Sequence, residues 1–155
     1  MLFQLLILIK QLDEEIEKLI RCSSLSKDID ILCSIPGISN VFVASILSKL
    51  GNVANFKSDD AIVKYFCIYW GQLSNFTSED NRFKKVGNAF LCYYLIEATS
   101  SVISNNLVFK SFYDKKLNEV SKHKNSRALV LTSRKFIRLI YKLLKDKKLY
   151  EYPLA

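Results

Sequence analysis

The chain has 155 residues, half of them apolar, which is ample for one folded domain and excludes a disordered or fibrous polymer. Its net charge of +8 is unevenly divided: residues 1–80 carry 7 Lys/Arg against 10 Asp/Glu, and residues 81–155 carry 16 against 5. The second half is therefore matched to a polyanion, nucleic acid first and an anionic membrane surface second, with a Lys-rich solvated surface as the plain alternative.

The most apolar stretch, residues 2–9 (LFQLLILI), is too short for a membrane span, which takes about 20 residues. It lacks the basic flank and small-residue cleavage site of a signal peptide, so a cytoplasmic protein is expected. Leu2, Leu5, Ile9, Leu12, Ile16 and Leu19 step by 3, 4, 3, 4 and 3, a heptad seam. Residues 1–24 are expected to form a coiled-coil-like helix, paired in a homodimer or folded back as a hairpin. Leu6, Ile7 and Leu8 add apolar surface that favours burial at its beginning.

Residues 25–155 read as a compact helical domain. One helix is expected over residues 26–33, stopped by Pro36-Gly37, and another from Asn40 to a C-terminal cap at Gly51. Ser58-Asp59-Asp60 caps a fourth helix running to about residue 69. Residues 71–85 are polar and aperiodic. Gly87-Asn88 opens a long helix (AFLCYYLIEATSSVIS), and two more are expected over residues 107–120 and 126–147. No segment alternates with period two, so the fold class is all-α.

The stretch Ile35-Pro36-Gly37-Ile38-Ser39 between two helices has the layout of a helix-hairpin-helix. In that motif consecutive backbone N–H groups and the next helix N-terminus hold one DNA phosphate without reading sequence. Gly37 and Ser39 would let the backbone approach, and Lys49 would flank the same groove; an ordinary helix connector is the alternative. Further on, Arg82, Lys84 and Lys85 interleave with Phe76 and Phe83 in a polar loop, a composition suited to phosphates and bases. The same two rings could simply anchor the loop to the core. In the last helix Arg127, Arg134, Arg138, Lys142 and Lys145 are spaced by 7, 4, 4 and 3, one basic stripe opposite an apolar side.

Candidate chemistry is sparse. Cys22, Cys33, Cys67 and Cys92 contain no CxxC pair; three of them lie inside apolar helical patterns, so buried free thiols in a reducing cytosol are expected. With one histidine, His123, and no clustered ligands, no metal site is expected. The C-terminal half has no carboxylate cluster for two-metal phosphoryl transfer. Ser74, in the polar loop before the Arg/Lys cluster, is the candidate nucleophile; a loop serine with no chemistry is the alternative.

Taken in order, the heptad helix, SIPGIS, Phe56, KKVGN and the closing SRALVLTSRKFIRLIYKLLKD form a recognisable set. Over residues 33–152 it resembles the C-terminal part of insertion-sequence transposases of the IS110/IS116/IS902 type, and the first helix is similar to the coiled-coil segment before that domain. The resemblance implies a helical DNA-binding domain acting in DNA transposition. Such enzymes join it to an N-terminal RuvC-like nuclease domain, use a structured guide RNA, and form a covalent serine–DNA link. Their Mg²⁺ belongs to the RuvC-like acidic residues, so this chain is expected to carry no cofactor and to be a truncated fragment, inactive by itself. The family's Gln-Ser-Gly stands here as Gln72-Leu73-Ser74, and its Ser-Lys-Arg-Gly-Asn as Lys84-Lys85-Val86-Gly87-Asn88. Ser74 is then the nucleophile of an intact enzyme, Arg82, Lys84 and Lys85 stabilise phosphate charge, and Asn88 matches the motif. A stand-alone nucleic-acid-binding module and a helical interaction or membrane-surface protein are the rival readings.

Overall fold

A computed structural model describes residues 2–22, 25–66 and 89–152. Among them every regular element is helical, as expected: α1 (Leu2–Arg21), α2 (Ser26–Cys33), α3 (Asn40–Leu50), α4 (Asp59–Tyr65), α5 (Ala89–Asn105), α6 (Leu107–Asn118) and α7 (Lys124–Asp146). One 3-10 turn, Val53–Asn55, separates α3 from α4. The fourth helix, expected to reach residue 69, is described to Tyr65. Ser74, Arg82, Lys84, Lys85 and Asn88 lie outside the described residues.

Local chemistry explains several helix ends. Ser39 Oγ accepts a hydrogen bond from the Phe42 N–H (3.4 Å), and Ser58 Oγ accepts from the Ala61 N–H (3.2 Å). Each satisfies one of the donors that a first helical turn leaves open. Asn106 caps α6 with its side-chain oxygen on the Val108 N–H (3.0 Å) while its amide nitrogen donates to the Tyr150 hydroxyl (2.9 Å). Gly51 ends α3 at φ +63°, its N–H on the Leu47 carbonyl. Replacing Ser39 by alanine is expected to cost about 1 kcal/mol, seen as a lower urea midpoint at unchanged slope.

The core forms where apolar faces meet. Ile29, Ile31 and Leu32 of α2, Val43, Ile46 and Leu47 of α3, and Ile62, Val63 and Phe66 at α4 are buried together with Leu91, Leu95, Ala98 and Val102 of α5. α7 is the shared support: it packs against α2, α4, α5, α6 and the 3-10 turn. Its Phe136 is fully buried and meets the Phe109 ring edge-on, centroids 5.7 Å apart. Beyond α7 the chain returns to α2, where the Tyr150 N–H donates to Ser34 Oγ (2.8 Å) and Lys147 pairs with Asp28.

Two expectations are corrected. The start of α1 is not buried within the described residues: Leu2 is 76% and Phe3 75% exposed, and α1 packs mainly against α2 and α3. Ile16 and Glu17 are half-buried, whereas residues 2–15 are exposed throughout. The cysteines also differ from the expected buried set: Cys92 is buried, Cys33 intermediate and Cys22 exposed, with Cys67 outside the described residues. The Cys33 thiol donates to Asn40 Oδ1 (2.9 Å), tying α2 to α3. No described helix is long and apolar enough to cross a membrane.

Candidate nucleic-acid interface

The Pro-Gly corner is a tight turn. The Ile38 N–H donates to the Ile35 carbonyl (3.3 Å), with Pro36 and Gly37 as the central residues and Gly37 at φ +94°. Proline first and a left-handed glycine second is the pattern of a type II turn. The turn is not an open corner: Ile35 is buried, and Pro36, Gly37 and Ile38 are half-buried. A Cβ built on Gly37 would sit 2.7 Å from the Ser101 carbonyl oxygen and 3.0 Å from Val102 Cα. The glycine is thus required by the turn and by the approach of α5, quite apart from any ligand. Ser39, exposed, spends its side chain as the α3 cap.

Lys49 stands ten residues beyond Ser39, about 15 Å along α3. Its ammonium lies 5.7 Å from the centroid of the Phe90 ring. The structure therefore does not bring Lys49 to the turn; it belongs to an aromatic surface of α3 and α5, where Phe90, Tyr93 and Tyr94 adjoin.

The basic stripe of α7 is formed, but its charges are not equally available. Arg138 is held by both acidic residues of the first turn of α4: its Nε lies 3.2 Å from Asp59 Oδ2 and its Nη2 2.6 Å from Asp60 Oδ1. The Arg138 hydrogen bond and charge, with Arg134 and Lys64 nearby, hold the Asp60 carboxyl below its usual range. Arg127 reaches Glu119 (3.1 Å), which Lys116 also holds (2.6 Å). Arg134 is half-buried. Lys135 lies over the Phe112 and Phe109 rings, 4.4 and 5.4 Å from their centroids, and burial pushes its pKa down. Lys142 is exposed.

Beside this face a cleft of about 930 Å³ opens between α7, the start of α6 and residues 57–59. Arg138 and Lys142 line it; Arg134 does not. The structure thus brings Arg138 and Lys142 together, whereas Gly37 and Ser39 do not line that cleft and Gly37 packs against α5. Sequence reasoning missed Lys57, Lys148 and the carboxylates that hold Arg138. No local pattern marks them: Asp60 and Arg138 are 78 positions apart.

The described residues contain no group of three or more His, Cys, Asp or Glu side chains placed to hold a metal. The acidic pair Asp59–Asp60 is taken up by Arg138 and does not fit a divalent ion, so no step is derived through one. Against known families, the model described as transposase IS116/IS110/IS902 matches residues 29–114, more than half of the chain. No curated protein matches it.

Proposed function

This chain belongs to the transposase IS116/IS110/IS902 family, and from that premise we propose that it contributes DNA binding to transposition, chiefly through the basic face of α7. The observation that carries the reading is Arg138 and Lys142 side by side at a cleft, on the helix that supports the core. Such contacts hold the sugar–phosphate backbone and position the protein without reading bases. The α2–α3 turn is the second proposed contact, through the backbone around Gly37 and Ser39 at the start of α3. Arg82, Lys84, Lys85 and Asn88, the nucleophilic role of Ser74 and a guide RNA rest on the family resemblance. Pairing of two copies through α1 is supported by its exposed heptad stripe.

Salt-titrated binding of the full chain to duplex DNA tests the reading. Affinity should fall steeply as salt rises, and Lys142→Ala should reduce the log–log slope by about 1. Ser39→Asp keeps a helix cap but sets a carboxylate at the turn, so it should weaken DNA binding without loss of stability if a phosphate sits there. Binding indifferent to salt, or stronger to anionic vesicles than to DNA, would refute the proposal.

A further inference from the structure

We infer that the cleft between α7, the start of α6 and residues 57–59 seats a DNA sugar–phosphate backbone, with Lys57, Lys145 and Lys148 as phosphate contacts beside Lys142. This rests on the DNA-binding reading and adds its place and its residues. Six cations line the cleft, Lys57, Lys135, Arg138, Lys142, Lys145 and Lys148, against three carboxylates, Asp59, Asp146 and Glu151. Two of the cations are committed elsewhere: Arg138 to Asp59 and Asp60, and Lys135 to its aromatic rings. The other four lysines are exposed, and among the described residues none enters an ion pair. Lys145 lies over the Tyr141 ring, 5.4 Å from its centroid.

Their disposition suits a strand. From Arg138 to Lys145 α7 rises about 10 Å, the axial length of about three nucleotides. Lys57 lies just before α4 and Lys148 two residues past the end of α7, and both line the cleft. Val108, Leu139 and Leu143 add apolar lining to the same cleft, against which deoxyribose can lie. Lysines are flexible point charges and make phosphate contacts without the fixed geometry that base reading needs. Asp59 and Asp60 occupy Arg138 as a phosphate would, so they lower the affinity of the cleft until a strand displaces them.

The test compares the full-length chain with Lys57→Ala/Lys145→Ala/Lys148→Ala and with a charge-matched control, Lys115→Ala/Lys122→Ala/Lys124→Ala, whose residues do not line the cleft. Binding to a labelled duplex of arbitrary sequence is followed over a range of salt, with circular dichroism checking the fold. The cleft variant should lose at least tenfold in affinity at low salt and flatten the log–log slope by about 2 to 3, and the control should change much less. Asp59→Asn/Asp60→Asn should bind severalfold tighter with a slope steeper by about 1, because the Arg138 guanidinium is released. A cleft variant no weaker than the control, or no gain from the asparagine pair, overturns the inference while salt-dependent binding by the unaltered chain leaves the DNA-binding reading standing. An unaltered chain that ignores DNA overturns both. Poly-glutamate competing as well as DNA, charge for charge, overturns the assignment to nucleic acid.

Discussion

Gly37→Ala is expected to destabilise the protein by about 2 to 5 kcal/mol, lowering the melting temperature by roughly 5 to 20 °C. Two independent costs contribute. At φ +94° an L side chain is strained, by about 1 to 2 kcal/mol. The new methyl would also press on the Ser101 carbonyl oxygen at 2.7 Å and on Asn105 Cβ and Val102 Cα at 3.0 Å. Two of these three are backbone atoms of a packed helix, which cannot rotate away. Overpacking of this kind costs about 1 to 3 kcal/mol. Gly51 is the internal control: it has positive φ (+63°) but nothing within 4 Å of a built Cβ. Gly51→Ala should therefore cost only the strain, about 1 kcal/mol. Equal losses at the two glycines, measured by urea and thermal unfolding, would refute the packing of the turn against α5. The pair also separates fold from function, because a phosphate role for the turn has to be sought in variants that stay folded, such as Ser39→Asp.

Phe136→Ala carries the other large effect, an expected loss of about 3 to 5 kcal/mol. Phe136 is fully buried and its ring meets Phe109 edge-on, so truncation empties a volume that α6 and α7 enclose together. That loss is a large share of the 5 to 15 kcal/mol that typically holds a domain folded, so unfolding at ambient temperature should become measurable. Phe136→Leu, which keeps most of the volume and loses only the ring contact, should recover more than half of the deficit. An alanine variant that loses less than about 1 kcal/mol in denaturant titration would mean that α6 does not pack there. Because α7 also carries Arg138 and Lys142, the same truncation should weaken DNA binding, whereas the cleft lysines can be changed without touching the core.

Most of the helical scaffold was legible along the chain. Ser58 and Gly51 act at helix ends through partners within four residues, as expected, and Ser39, expected instead to let the backbone approach a phosphate, caps α3 by the same local geometry. The basic stripe of α7 followed in the same way, since spacings of three, four and seven place residues on one helix face. The last two helices began and ended within two residues of expectation, at Leu107–Asn118 and Lys124–Asp146. Pro36-Gly37 marks a turn along the chain, but whether its glycine serves a phosphate or a plain connector is not legible there, because the requirement for it comes from α5, more than sixty residues later. The start of α1 was equally ambiguous: an apolar seam states that a helix has a partner face without saying whether this chain supplies it.

The amino-acid order by itself determined the helices, their caps, the charge asymmetry and the family resemblance, because each depends on residues a few positions apart or on composition. Only the tertiary structure decided which cations are available. Arg138 looked free and is held by Asp59 and Asp60, and Lys57, unremarkable in sequence, lines the same cleft as Lys142. The reason is that an ion pair or a cleft forms between surfaces distant along the chain, and Coulomb attraction depends on separation in space, which helix periodicity does not encode.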